Sequence, residues 1–301
     1  MATAAEPLPA ELPLPGGRGD ASVTLHPLLS ATMLAPPGWF LREDGRLARP
    51  HAFGLGVPRK DWLLAPVVAF LVEHPGAGLM LIDTGFHPSV AVDPKANLGR
   101  ITLLAFKGIE MEPEQAVPEQ LRDLGIEPAQ IETVVMTHLH PDHASGMSEF
   151  PASTFVFSTK EWEAATSMGQ TKGYVRGQFD HAFDYRTLDF DAPEADSFAT
   201  FGRSFDLFGD GSVRLVFTPG HSLGHLSLIL RLNGREALVA GDALYMRKTL
   251  EDSHLPWRMA DEHLFRRSLR EIQLYVKETP SALVVPGHDM ETWRELEPVY
   301  E

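Results

Sequence analysis

The chain has 301 residues, 44% hydrophobic and 22% charged, an ordinary globular composition. A formal net charge of −15 without a strong basic patch disfavours a phosphate backbone, so nucleic-acid binding and cleavage are set aside. Cysteine is absent, which excludes disulfides and thiolate ligands and leaves histidine and carboxylate to build any metal site.

No apolar run reaches the roughly 20 residues that span a bilayer. Nor does a basic cluster followed by an apolar block open the chain, so the expectation is cytoplasmic residence with no membrane partner. Residues 1–22, rich in Ala, Pro and Gly and without periodicity, read as a flexible N-terminal arm. Residues 23–301 read as a single domain. Between 23 and 62, Met33, Trp39, Phe40 and Phe53 stand among prolines and glycines. They line an apolar pocket or fill the core, the latter being the commoner use.

Two apolar runs, 66–73 and 79–83, flank a Pro-Gly-Ala-Gly turn and predict a hairpin. It ends in Asp83-Thr84-Gly85, where a strand-end carboxylate can brace a ligand histidine. A short helix is expected within 112–124 and a buried strand over 132–137. That strand runs into His138, His140, Asp142 and His143. Three imidazoles and a carboxylate in six residues is a spacing that a shared divalent cation explains better than a surface loop. In an extended segment His138 and His140 face the same way, and Pro141 turns Asp142 and His143 toward a second position.

A strand at 154–158 and a helix at 159–167 follow, while 168–200 shows no clean period and is expected as loop or short elements. The strand at 213–217 delivers Thr218-Pro219-Gly220-His221. Residues 226–232 and 236–240 form a hairpin about Asn233-Gly234, which ends at Asp242 and Tyr245. Apolar spacing predicts an amphipathic helix over 261–277, and a last strand at 282–285 ends at His288 and Asp289.

Four strand ends thus release His138/His140/Asp142/His143, His221, Asp242 and His288, and in this the chain resembles the metallo-β-lactamase superfamily over roughly residues 66–292. The resemblance implies a four-layer αββα sandwich with two divalent metal ions, zinc first, with cobalt, manganese or iron as alternatives. It assigns His138, His140 and His221 to one ion, Asp142, His143 and His288 to the other, and Asp242 to both. His225 is expected beside the site or in packing, not as a ligand.

Tyr245, three residues after Asp242, looks like the tyrosine of the N-acyl homoserine lactonases, which contacts the lactone carbonyl; the alternative is a buried tyrosine with a satisfied hydroxyl. The implied activity is lactone opening by attack of a bridging hydroxide, with Tyr245 and Asp142 as catalytic groups, on a small-molecule lactone substrate, in a family whose habit is the homodimer. Other lactones, esters, thioesters (glyoxalase II-like) and phosphotriesters are the alternatives among hydrolases. An iron-dependent oxidoreductase of the same fold, or a non-catalytic metal-stabilised binding module, lies outside them. The chain departs from some lactonases at Pro141, where they carry Phe, and in its longer N-terminal stretch.

Overall fold

A computed structural model gives the structure of residues 4–104, 106 and 108–301. Among these residues the strands form two sheets. The first holds β1 (Leu8–Pro9), β2 (Thr24–Ala35), β3 (Leu63–His74), β4 (Gly78–Ile82), β5 (Ile131–Val135), β6 (Thr154–Ser158) and β7 (Asp184–Leu188). Their spatial order is β1-β7-β6-β5-β4-β3-β2. The second holds β8 (Asp196–Phe198), β9 (Phe201–Asp206), β10 (Val213–Phe217), β11 (Leu226–Arg231), β12 (Glu236–Gly241) and β13 (Leu283–Pro286), with β13 at one edge and β8 at the other.

Side-chain alternation decides how the layers stack. On β3, Val68, Phe70 and Val72 face the second sheet, where Leu215, Phe217, Leu228, Leu230 and Val239 meet them in one cluster. Ala69 and Leu71 point the other way, into a cluster with Phe155, Phe157, Ala164 and Ala165, so the helix Thr159–Met168 covers the first sheet. Val216, Ile229 and Leu238 face outward from the second sheet onto Phe265, Leu269, Ile272 and Tyr275. Those four belong to the helix Glu262–Glu278, whose N-cap Asp261 accepts a hydrogen bond from Leu264 N at 2.9 Å. The layers are helix, sheet, sheet, helix, as the resemblance implied. Strands β4 to β7 run parallel, and the inner ones, β4 to β6, are mostly apolar because both faces are covered.

Two sequence expectations change. Residues 23–62, for which the sequence suggested aromatics among prolines and glycines and no strand, contain β2, a strand of 12 residues. Pro27 obscures it in the sequence, yet β2 is a sheet edge, where a missing N–H is tolerated. Residues 168–200, expected as loop or short elements, do hold short elements, among them β7 of the first sheet. From residue 4 onward the N-terminal segment is docked, not free. Ala4 and Ala5 N–H donate to Asp180 Oδ1, β1 pairs in parallel with β7, and Leu14 N–H donates to Leu207 O. Backbone pairing at an otherwise open edge holds a sequence that has little apolar surface of its own.

Candidate metal centre

Every strand that points at the site delivers its polar residue just past its last ladder bond. After β5, His138 and His140 follow in extended backbone, then Pro141 opens the single helical turn Pro141–Ala144, a position where its missing N–H costs nothing. That turn swings Asp142 and His143 back over His138, whose ring lies 4.1 Å from that of His143. His221 follows β10, Asp242 follows β12 and His288 follows β13. All seven side chains are buried and fall into three overlapping groups able to hold a metal ion. These are His138/His140/His221, His138/His143/Asp242 and Asp142/His143/His288.

Asp242 sits between two sets of nitrogens. Its Oδ2 is 3.1 Å from His221 Nε2 and 3.8 Å from His138 Nε2, while its Oδ1 is 3.3 Å from His143 Nε2 and 3.2 Å from His288 Nε2. Asp142 Oδ2 lies 3.5 Å from His288 Nε2 and 3.7 Å from His143 Nε2. His140 Nδ1 is 2.8 Å from His221 Nε2, which is in turn 3.1 Å from His138 Nε2. Among the described residues, His143 Nε2 and Asp242 Oδ1 are buried without a hydrogen-bond partner. Converging lone pairs and orphaned buried polar atoms are costly unless a cation joins them, so the donor set fits two divalent ions.

The electrostatics agree. Burial pushes His138 and His140 well below the usual imidazole range, and neighbouring histidines push them further. Burial also takes His221 down to about 4, against the pull of Asp242. Neutral imidazole is the form that ligates. Burial alone would raise Asp242, but His288, His221 and His143 hold it well below the usual carboxylate range. Burial lowers His143, yet Asp83, Asp142 and Asp242 raise it well above its ordinary value. The carboxylates that favour a proton there favour a metal cation equally.

The surroundings fix each ring by its far nitrogen, which sets the tautomer. Asp83 accepts from His143 Nδ1 at 2.7 Å and from Thr137 N and Oγ1, both at 2.7 Å, and holds a φ of 58° to do so. His288 Nδ1 donates to Pro66 O at 3.0 Å, and His140 Nε2 to Lys172 O at 3.2 Å. His221 Nδ1 lies 3.0 Å from the Tyr245 hydroxyl. His225 stays outside the three groups; its Nε2 accepts from Asp242 N at 3.0 Å and its Nδ1 meets Thr218 Oγ1 at 2.9 Å, so it positions the Asp242 backbone.

Sequence reasoning missed Glu161. Its fully buried carboxylate accepts from Leu139 N (2.9 Å) between two of the histidines, and from Ser222 Oγ (2.6 Å) and Gly224 N (3.2 Å) just after His221. Tyr174 Oη donates to it as well, at 3.1 Å. The only local signal misled: Ser158-x-x-Glu161 is the pattern of a helix capping box, and Ser158 does cap the helix, but Glu161 turns inward.

Above the centre opens a cleft of about 470 Å³, with Trp39, Phe53, Leu104, Met168, Trp257 and Arg258 in its wall. Trp39 and Phe53 thus line a pocket, whereas Phe40 is core; Met33 lines the inner chamber beside the metal residues.

A family model described as the metallo-β-lactamase superfamily matches residues 63–288. The chain belongs to that superfamily. It is 34% identical over 232 residues to the N-acyl homoserine lactonase AttM of Rhizobium radiobacter, covering 76% of this chain and 83% of that one. It is also 28% identical to a probable metallo-hydrolase of Mycobacterium tuberculosis across 98% of both chains. Among solved structures, an N-acyl homoserine lactone hydrolase with N-hexanoyl-L-homoserine bound at its catalytic metal center shares the fold, with a TM-score of 0.73 at 22% identity. That match covers 93% of this chain and 99% of the other.

Proposed function

We propose that this superfamily member is a dinuclear metal hydrolase that opens the lactone ring of N-acyl homoserine lactones. The carrying observation is the Tyr245 hydroxyl, buried beside His221 and Asp242 in the chamber where the apolar cleft meets the metal-binding groups. The relatives named N-acyl homoserine lactonase support the same substrate class.

In this reading His138, His140 and His221 would hold one ion, Asp142, His143 and His288 would hold the other, and Asp242, which lies between the two sets, would be shared. Zinc is the first choice because the set is imidazole and carboxylate without thiolate. When bound, the two cations supply Lewis acidity toward an ester carbonyl and lower the pKa of water toward about 7.

The chain's own groups do the rest. His221 with its Nε2 on the metal side must carry its proton on Nδ1, so it donates to the Tyr245 oxygen and leaves the Tyr245 proton free for the substrate carbonyl. Burial, with Asp242 and Asp142 nearby, keeps that phenol protonated by raising its pKa well above 10. It donates most strongly once the carbonyl oxygen becomes an oxyanion. Asp142, buried at the edge of the metal groups, carries the proton to the departing ring oxygen as general acid. No helix among the described residues is long and apolar enough to cross a membrane, and we place the enzyme in the cytoplasm, as a homodimer, with no nucleic-acid partner.

The test is proton release on mixing metal-loaded protein with short- and long-chain N-acyl homoserine lactones, against a chelated blank. Chelator-sensitive release, with the lactone recovered on acidification, is expected. No release with two metals bound would overturn the substrate and turn the search to thioesters and phosphotriesters.

A further inference from the structure

One cation in the site has no task in the scheme above. Arg258 is half-buried and, among the described residues, makes neither a hydrogen bond nor an ion pair. It borders both compartments, the inner chamber with Asp142, Asp242, Tyr245 and His288, and the outer cleft with Leu104, Met168 and Trp257. Among the described residues no carboxylate lines the outer cleft, so no anion in its wall competes for the guanidinium.

The position is built. Trp257 N–H donates to Trp39 O at 2.9 Å, and Ala260 N–H donates to Gly220 O at 2.8 Å and His221 O at 3.0 Å, which ties the Arg258 segment to the His221 loop on one side and the aromatic wall on the other. Opposite lies Gly173, at a φ of +102°, where a Cβ would come within 2.8 Å of both Arg258 Nη2 and the His140 ring. A side chain there would fill the seam between metal groups and guanidinium; glycine keeps it open.

Going outward, the pocket therefore presents metal-binding groups, then an unpaired fork of N–H donors, then a wall in which apolar side chains outnumber the polar Gln170, Thr171 and Lys172. An N-acyl homoserine lactone presents its groups in the same order: ester ring, amide carbonyl, acyl chain. We infer that Arg258 is a specificity-determining residue that receives the amide carbonyl oxygen of the substrate. The inference rests on the lactonase reading and deepens it. A half-buried guanidinium at an apolar cleft gains from an acceptor that enters with the ligand, and a bond to a charged donor is stronger than one between neutral groups.

The test compares wild type with Arg258→Met and Arg258→Lys on two substrates of matched length, an N-acyl homoserine lactone and an alkyl γ-lactone without the amide. Metal content is measured throughout. With two metals retained, Arg258→Met is expected to lower kcat/KM for the amide substrate about 10- to 100-fold, mainly through KM, and that for the alkyl lactone less than about threefold. Arg258→Lys should recover part of the loss. Calorimetric binding of an N-acyl cyclopentylamine, which keeps amide and chain but has nothing to hydrolyse, should weaken in parallel. Equal losses on both lactones, or none on the amide substrate and amine, would overturn the role of Arg258 while leaving the lactonase reading intact. Wild type that opens alkyl lactones but not N-acyl homoserine lactones would overturn both.

Discussion

Strand β3 organises a buried histidine at each end, and only one of them belongs to a reactive site. At one end Pro66 O orients His288. Eight residues on, roughly 26 Å along an extended strand, His74 sits in a cluster with Asp210 and Ser212. The second cluster has the residue types of a hydrolytic triad. Its geometry refuses the role, because Asp210 Oδ2 (3.1 Å) and Ser212 Oγ (3.0 Å) both lie on Nε2, and Nδ1 is taken by the N–H groups of Gly76 and Ala77. A triad needs nucleophile and orienting carboxylate on opposite nitrogens of the ring. Asp210 also accepts from Arg18 N and Ser212 N, so this end locks the N-terminal segment to the β9–β10 turn. At the metal end His143 Nε2 and Asp242 Oδ1 are left over. Residue types nominate a site, and unspent hydrogen-bonding capacity decides it.

The comparison breaks most directly at Asp242. Asp242→Ala removes the carboxylate whose two oxygens face the two nitrogen sets, and should lower turnover on the order of a thousandfold, with metal content below two per chain. Full loading of that variant would show that Asp242 joins nothing. Glu161→Gln comes next. It replaces a carboxylate that accepts four hydrogen bonds by an amide whose nitrogen faces donors, loosening the His138–His140 segment and the His221 loop together. Metal affinity should fall about 10- to 100-fold, with most of the turnover regained at saturating metal. Glu163→Gln, on the exposed face of the same helix, is the control. An unchanged metal titration for Glu161→Gln would return that residue to packing. Tyr245→Phe removes only the hydroxyl and should reduce kcat roughly 10- to 100-fold with metal content unchanged; an unaltered rate would make Tyr245 structural.

These variants also separate what the sequence made legible from what it did not. The residues His138 to His143, His221, Asp242 and His288 could be read because each follows an apolar strand with its own signal, and strand ends are where a sheet holds side chains rigidly. Asp83 could be read for the same reason. Glu161 could not, since a buried acid inside a helix differs from an exposed one only by what folds over it, and its local pattern pointed to capping. Arg258 could not, since its meaning lies in which two compartments it separates. The strand β2 and the docked N-terminal segment were hidden by prolines that an edge position tolerates.

The smallest expected effect on catalysis is at the other end of β3. His74→Ala orphans the N–H groups of Gly76 and Ala77 and leaves Asp210 without its ring partner, in a site where the His74 side chain has no solvent exposure. Losing a buried network of this kind should cost about 2–4 kcal/mol, a fall in Tm of about 3–6 °C. The kcat of the folded fraction and the metal content should stay within about twofold of wild type, because the ring is held roughly 26 Å of strand away from the metal groups. Limited proteolysis should then cut near Arg18, whose backbone N–H depends on Asp210. Lost turnover with an unchanged Tm and two metals bound would mean that the Ser–His–Asp cluster takes part in the chemistry after all, and would end the distinction drawn between the two ends of the strand.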